Sequence, residues 1–167
     1  FFLALNAKIK LTNKDQNRTI YLKDFYKGYK DLDKSPDEIV STISFKLPTQ
    51  NSHYNFEKVS KRIHLDIASV NTAFQITISK NIVTQAHLSA GGVGPIPMYL
   101  GKTCAFLTDK VLSPETVQSA NEIIQTEINP ISDVRGSADY KRLLLRQLFY
   151  AHFITLFPNQ FTLDSFK

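Results

Sequence analysis

The chain has 167 residues, of which 43% are hydrophobic and 21% charged, and its formal net charge is +5. This length fits one domain with a sizeable core, and no apolar run approaches the roughly 20 residues that a membrane-spanning helix requires. The lysines and arginines are spread along the chain, so the basic charge gives little support for nucleic-acid binding. We therefore expect neither nucleic acid nor a membrane as a partner.

Cys104 is the only cysteine in the chain. A single cysteine excludes an internal disulfide and any cysteine-ligated zinc or iron–sulfur centre built from this chain alone. Its neighbours are mostly apolar, which predicts a buried side chain and a reducing, cytoplasmic setting. The chain starts at Phe1 without a methionine or the charged segment of a signal peptide, so we expect a fragment or a processed piece of a longer sequence.

The first 48 residues predict a small β-rich unit. Apolar and polar residues alternate over 3–11, which predicts a half-buried strand. A polar turn leads into a second strand, 18–22, and the pair predicts a hairpin. Residues 23–30 predict a short helical turn, and 38–47 predict an extended segment.

A proline-led polar segment, 48–52, predicts a linker to a second unit. A strand with a basic end is expected over 54–62. Alternating stretches at 68–79 and 82–90 flank the link Lys80-Asn81, which predicts an antiparallel hairpin because a parallel return needs a much longer connection. The side chains expected on the buried face of that hairpin are Val70, Phe74, Ile76, Ile78, Ile82, Ala86 and Leu88.

Three helices are predicted after the hairpin. Residues 91–97 predict an irregular strand-to-helix crossover; a phosphate-binding loop is the alternative, although the spacing does not match Gly-x-Gly-x-x-Gly. The first helix is expected over 99–107. Capping signals place the start of the second helix at Ser113-Pro114 and that of the third at Ser137.

Strands followed by helices predict an α+β fold, with an antiparallel sheet of three to four strands and about three helices packed on one face. We divide the chain into residues 1–48, 53–158 and a tail, 159–167. The four histidines show no metal-binding spacing, and no Gly-x-Ser-x-Gly elbow is present. The chain is therefore expected to carry no catalytic constellation of its own.

Three motifs resemble segments of the flavoprotein subunit of molybdenum hydroxylases, the xanthine dehydrogenase-like enzymes. Ser-Asp-Val-Arg-Gly-Ser-Ala-Asp-Tyr-Lys-Arg, at 132–142, resembles the last segment of that subunit. Lys-Val-Ser-Lys-Arg with Asp-Ile-Ala, within 58–68, resembles its Lys-x-Ser-x-Arg…Asp-Ile strand entry. Asp-Glu-Ile-Val, at 37–40, resembles the segment that ends the main FAD-binding lobe, and 19–29 resembles the Leu-x-Asp-Phe-Phe-x-Gly-Tyr ending of the same lobe.

The resemblance implies a CO dehydrogenase flavoprotein C-terminal-like domain over 53–158, preceded over 1–48 by a β-rich remnant of the FAD-binding lobe. It also implies that Lys58, Ile39 and Val40 contact FAD. An ammonium group near the flavin could stabilise negative charge on its reduced form. Without the resemblance, Lys58 is interpreted as a solvated basic strand end.

The segment before the last helix is expected to have a structural or interface role. Asp133 and Arg135 are close enough in sequence to form a local ion pair. Asp139 with Lys141 or Arg142 would extend it. We expect these charges to clamp the loop, and a subunit interface is the alternative. The residues assigned to this role are Asp133, Arg135, Ser137, Tyr140 and Arg142.

The resemblance implies a function as part of the FAD-binding component of an oxidoreductase. In that family a molybdenum centre oxidises a purine, iron–sulfur clusters relay the electrons, and the flavin passes them to NAD. Expected partners are therefore the iron–sulfur and molybdenum-cofactor modules and NAD. The glycine-rich FAD pyrophosphate loops of the family lie upstream of the residues present here, so the chain alone is expected to be inactive and to bind FAD poorly.

Two alternatives stay open at this point. One is a stand-alone α+β interaction module without a cofactor. The other is the flavoprotein piece of a carbon monoxide, aldehyde or nicotinate-type hydroxylase.

Overall fold

A computed structural model describes all residues, 1–167. The first part contains five strands: β1 (Lys8–Thr12), β2 (Asn17–Tyr21), β3 (Tyr26–Gly28), β4 (Asp31–Leu32) and β5 (Ile39–Ser44). The second part contains β6 (Ser52–Val59), β7 (Val70–Ser79), β8 (Ile82–Gly91), β9 (Met98–Tyr99) and the helices α1 (Gly101–Leu107), α2 (Pro114–Glu127) and α3 (Ala138–Leu156). No helix combines the length and the apolar character needed to cross a membrane.

The first part, which we call the N-terminal unit (1–48), is built on a three-stranded antiparallel sheet in the order β2-β1-β5. The predicted β1–β2 hairpin is confirmed. Ile9 and Leu11 of β1 pack with Phe25 into a small core. All six residues of β5 are exposed to solvent, and its outer edge has no neighbouring strand.

Two predictions in the N-terminal unit were wrong. Residues 2–6 form a turn rather than the start of β1, with Asn6 in the left-handed region at φ 48°. Leu3, Ala4 and Leu5 are all buried, and three consecutive buried residues are incompatible with an alternating strand that has only one covered face. Residues 23–30 do not form a single helical turn, because a short 3₁₀ turn is followed at once by β3, which pairs with β4.

The second part confirms the predicted α+β class. Its main sheet is antiparallel in the order β6-β7-β8-β9, and the three helices cover one face, which we call the inner face. Helix α3 packs on β6 and β7, while α1 packs on β8. The largest fully buried side chains of this core are Phe74, Phe149, Phe153, Phe161, Ile76, Leu88, Leu100, Leu107, Leu112 and Ile124.

The predicted β7–β8 hairpin is confirmed, and its two-residue turn has Lys80 and Asn81 at φ 50° and 63°. Two left-handed residues are typical of the type I′ turn, whose twist matches that of the flanking strands. The prediction that Ile82 is buried was wrong: Ile82 is 41% exposed and Val83 is buried. Thr77 pairs with Gln85, but the next pair is Ile78 with Val83, so an extra residue on β8 forms a bulge that exchanges the two faces of the strand.

A buried polar chain joins the inner face to α3. The Thr72 hydroxyl donates to the Ser89 carbonyl at 2.8 Å, so the Thr72 oxygen is left to accept from Nε2 of His152, 3.3 Å away. The proton of the imidazole is therefore assigned to Nε2. Nδ1 then accepts from the Asn55 amide at 3.0 Å. Both ring nitrogens of the fully buried His152 therefore have a hydrogen-bond partner when the imidazole is neutral.

Burial lowers the pKa of His152 to about 3, whereas a histidine in an unfolded chain titrates near ~6.5. The folded state binds the proton less well, so the stability contributed by the neutral ring is complete above about pH 6.5 and falls as the pH drops towards 3. We expect the free energy of unfolding, measured by urea titration, to decrease between pH 6.5 and pH 5 by at most about 1.4 kcal/mol per pH unit from this group.

The variant His152→Gln should lose most of this slope, because glutamine does not titrate. His64→Gln, at an exposed position, is the matched control and should keep it. An unchanged slope in His152→Gln would show that the acid sensitivity has another origin.

Candidate functional site

Three segments converge at the end of the main sheet where β6 ends, β7 begins and β8 ends. They are the β6–β7 connection, the crossover after β8 and the loop before α3; together we call them the loop end. The Ser69 hydroxyl donates to the carbonyl of Arg135 at 2.9 Å, and the Lys61 ammonium donates to that of Val134 at 2.8 Å. The backbone N–H of Asn129 donates to the carbonyl of Val93 at 2.9 Å.

A cavity of about 650 Å³ lies among these segments. Ser69, Asn71, Gly92 and Arg135 contribute to its wall, and Tyr29 reaches it from the N-terminal unit. Its volume lies within the range of small-molecule sites, about 300–1,000 Å³. Because both parts of the chain line it, the cavity depends on how they pack together.

The crossover after β8 requires glycine for steric reasons. Gly92 has a φ of 84°, and a Cβ at this position would lie 2.3 Å from the carbonyl oxygen of Ser69. Any side chain would therefore clash with backbone, in a conformation that L-residues rarely adopt. This geometry supports the interpretation of 91–97 as a strand-to-helix crossover, and packing alone explains the glycine.

A buried lysine organises the loop before α3. Lys141 is 2% exposed, and its ammonium lies 2.8 Å from Oδ2 of Asp133 and donates to the Ile131 carbonyl at 2.8 Å. The hydrogen bond from this ammonium, together with one from the Arg135 backbone N–H, holds the pKa of Asp133 below its usual value. Lys141 therefore draws the two ends of the loop together from the first turn of α3.

This arrangement corrects the predicted ion pair. The carboxylate of Asp133 pairs with Lys141 rather than with the guanidinium of Arg135, because Arg135 offers it only a backbone N–H, at 2.8 Å. Arg142 is not drawn to Asp139; its guanidinium donates to the carbonyls of Gln125 and Ile128 at the C-terminal end of α2.

Ser137 and Gly136 set the start of α3. The Ser137 hydroxyl accepts from the backbone N–H of Tyr140 at 3.2 Å, which is the N-cap arrangement. Gly136 has a φ of 147°, and a Cβ there would lie 2.6 Å from the ring of Tyr140. Tyr140 is 43% exposed, so its ring closes over the glycine from the solvent side.

The expected flavin contacts lie on two different elements. Lys58 sits on the face of β6 opposite the helices, paired in register with Asn71 of the cavity wall, and its ammonium donates to the Asp66 carbonyl at 2.7 Å. Ile39 and Val40 lie at the start of β5 in the N-terminal unit, 64% and 43% exposed. None of the three expected flavin contacts, Lys58 included, lines the loop-end cavity; Lys58 is only the strand neighbour of Asn71, which does.

An ion cluster holds the start of β5 in place. Arg18 on β2 pairs with Glu38 at 2.7 Å and with Asp33 at 2.9 Å. The guanidinium holds the pKa of the Glu38 carboxyl down to about 2. Because Glu38 directly precedes Ile39, this cluster fixes where Ile39 and Val40 are presented.

Sequence reasoning missed Tyr29 and Arg18, and it named Lys141 with Asp139 rather than with its actual partner Asp133. Tyr29 and Lys141 both lie within motifs that carry the resemblance, but nothing in a motif tells which residue faces a cavity and which is buried. Arg18 lies in a strand whose alternating apolar and polar residues predict burial but do not predict ion pairs.

Comparison with known proteins defines the class. Residues 55–156 match the profile of the CO dehydrogenase flavoprotein C-terminal domain, a module of flavin-containing subunits. The chain belongs to this family.

Relatives and solved structures agree with this assignment. The chain is 30% identical over 153 residues to a xanthine dehydrogenase of Emericella nidulans, covering 89% of this chain and 11% of that protein. It is 29% identical to the medium chain of a glyceraldehyde dehydrogenase of Sulfolobus acidocaldarius, covering 87% of this chain and 51% of that one. The fold is shared with carbon monoxide dehydrogenase from Hydrogenophaga pseudoflava, with a TM-score of 0.83 at 23% identity over 88% of this chain and 51% of that one.

The chain thus spans about half the length of the medium chain and about a tenth of the xanthine dehydrogenase. Both relatives are dehydrogenases by name, and the carbon monoxide dehydrogenase of similar fold is a form that lacks the Mo-pyranopterin moiety of the molybdenum cofactor.

Substituting Gly136 tests the geometry of the loop before α3. Gly136→Ala places a Cβ at φ 147°, and we expect a loss of roughly 1–3 kcal/mol in the free energy of unfolding from backbone strain, with little added by the ring of Tyr140, which can move outward. Urea denaturation measures the loss. Gly101→Ala is the matched control, because a Cβ there meets Tyr99 only at 3.8 Å, and it should change stability by less than about 0.5 kcal/mol. Equal effects of the two substitutions would rule out the strain.

Proposed function

We propose that this chain is the C-terminal part of the FAD-binding component of a xanthine dehydrogenase-like oxidoreductase of the cytoplasm. In this proposal the loop end of the main sheet covers the flavin, and the flavin passes electrons from iron–sulfur clusters to NAD. A bound flavin can exchange two electrons with a nicotinamide and single electrons with an iron–sulfur cluster. The chain contributes binding, shielding from water and docking, and no bond-making residue.

The family match carries this proposal, and the cavity at the loop end supports it. Its volume of about 650 Å³ lies within the range of small-molecule sites, and the paired positions Lys58 and Asn71 place the proposed flavin contact beside its wall. The residues present are therefore proposed to form one part of an FAD site. The phosphate-binding part would come from an upstream lobe of the kind that the resemblance implies.

Lys58 is proposed to act on the flavin electrostatically. Its side chain is exposed and held by the carbonyl of Asp66 alone, so no carboxylate neutralises it. A positive charge near the ring stabilises the anionic reduced form. Ile39 and Val40 are proposed to contact the ring system through their exposed apolar side chains and the adjacent backbone of β5.

The loop end is also proposed to dock against the iron–sulfur and molybdenum-cofactor modules. Ile63, Leu65 and Val134 are 91%, 97% and 81% exposed, and neighbouring exposed apolar side chains are typical of interaction surfaces. Leu65 has a φ of 49°, an uncommon conformation for a leucine. Residues that shape the loop before α3 are proposed to contribute to the same docking surface: Asp133, Arg135, Ser137, Tyr140 and Arg142.

The whole enzyme is proposed to oxidise a purine, with an aldehyde as the alternative substrate. The two relatives carry names for different substrates at nearly the same identity, 30% and 29%. Purine oxidation is supported by the motif at 132–142 and by the xanthine dehydrogenase relative. Aldehyde oxidation is favoured by the glyceraldehyde dehydrogenase relative. Its medium chain is a separate polypeptide, and this chain covers 51% of it.

The test is to express the chain in one polypeptide with the coding sequence that precedes Phe1, and to measure flavin absorbance and reduction potential. We expect a yellow protein whose potential falls in Lys58→Ala, by about 20 mV for each ~1 kcal/mol of lost Coulombic stabilisation in a two-electron couple. Lys110→Ala is the control, since Lys110 lies beside Val83 near the other end of the sheet.

A colourless protein would favour the stand-alone interaction module. A yellow protein with the same potential and flavin content in Lys58→Ala would remove the role of Lys58 and leave the flavoprotein assignment intact.

A further inference from the structure

A second cavity, of about 580 Å³, reaches from the centre of the main sheet towards the β7–β8 turn, away from the loop end. It lies between the outer face of β7 and β8, which faces away from the helices, and the N-terminal unit. We call it the hairpin-end cavity. Gln75 of its lining lies four residues along β7 from Asn71 of the loop-end cavity, about 13 Å away, and the two cavities share no lining residue. The hairpin-end cavity is therefore separate from the proposed flavin site.

The charge lining this cavity is entirely positive. Lys8 and Lys46 belong to its wall, and none of the residues lining it is acidic. Neither lysine forms an ion pair within the chain. A third ammonium, that of Lys23, lies 5.4 Å from the centre of the Tyr21 ring, and that of Lys8 lies 4.9 Å from it. Uncompensated ammonium groups in a concave site favour an anion.

The floor of the cavity carries polar side chains that can form hydrogen bonds with the edge of a bound ring. Gln75 and His87 are directly opposed on β7 and β8, and Gln85 lies two residues before His87. The two glutamine amides have no partner among the side-chain hydrogen bonds of the chain, whereas Nδ1 of His87 is held 2.7 Å from the hydroxyl of Tyr99. Free amides offer both donors and acceptors, which suits a heteroaromatic edge.

The remaining wall is apolar and partly aromatic. Tyr21 and Phe45 are 38% and 41% exposed, and Leu5 and Leu47 line the cavity beside them. Aromatic and aliphatic surfaces of this kind accept the face of a flat ring. An inorganic anion would leave them unused.

We propose that the hairpin-end cavity binds a small organic phosphate that carries a planar base, a ligand of the mononucleotide class. Lys8 and Lys46 receive the phosphate, while the base lies against the apolar wall with its edge towards Gln75 and Gln85. The cavity volume is within the range of small-molecule sites. The proposal rests on this cavity alone and does not depend on the proposed function.

The test uses isothermal titration calorimetry with AMP, adenosine and inorganic phosphate as probes on the complete chain. We expect AMP to bind with a submillimolar Kd, and adenosine and phosphate to bind at least tenfold more weakly, because each offers only half of the contacts. Amide chemical shifts of Gln75 and Gln85 in NMR spectra should move on titration with AMP.

Lys46→Glu should weaken AMP binding at least tenfold, since it reverses a charge in the wall. Lys14→Glu changes the net charge equally at an exposed residue of the β1–β2 turn, and should have little effect. Equal weakening in both variants, AMP affinity no better than that of phosphate, or shifts confined to other residues would each overturn the proposal. Circular dichroism of both variants keeps a folding defect apart from a loss of binding.

Discussion

The buried ammonium of Lys141 is the contact on which the loop end depends. An isolated charge in the protein interior is costly, and this one is satisfied by the carboxylate of Asp133 and the carbonyl of Ile131. Those two groups lie at the start of the loop and Lys141 lies in α3, so the ammonium has a single favourable position only when the loop is closed. A buried ion pair of this kind adds little net stability, and its value here is that it selects one loop conformation.

The loop that Lys141 closes then positions its neighbours. With the backbone of Val134 and Arg135 in place, their carbonyls accept from Lys61 and Ser69, which ties the β6–β7 connection to the loop before α3. The crossover after β8 is held from the other side by the contact of Gly92 with the Ser69 backbone. Most of the wall of the loop-end cavity therefore comes from three segments without regular structure, arranged around one buried charge, and Tyr29 and Asn71 complete it.

Much of the fold could be predicted from the sequence, because strands and helices leave periodic patterns. The strands β7 and β8, the Lys80-Asn81 turn and the caps Ser113 and Ser137 were predicted from local signals and are confirmed. The errors arose where tertiary structure overrides periodicity. A bulge reverses the faces around Ile82.

The candidate site was less accessible to prediction. A charge such as Asp133 has several partners within reach in sequence, and only the direction of α3 decides that Lys141 is the one. Tyr29 joins a cavity whose other residues are far away in the chain. Lys58 was singled out only because its motif resembles that of a family, since an exposed lysine at a strand end has no signature of its own.

The main sheet is used differently on its two faces, and this division explains why both cavities lie where they do. The inner face buries Phe74 and Ile76 under helices and contains the His152 chain, so it is filled. The outer face has Gln75 and His87 at its centre, and the N-terminal unit covers it in part through Phe1, whose ring lies 5.1 Å from that of Tyr54 and 6.4 Å from that of Phe56. Away from this aromatic contact, polar side chains of the sheet line the two cavities. Tyr29 lines one cavity and Lys8 lines the other, so a change in the packing of the N-terminal unit would alter both cavities together, although about 13 Å of β7 separates Asn71 of the first from Gln75 of the second.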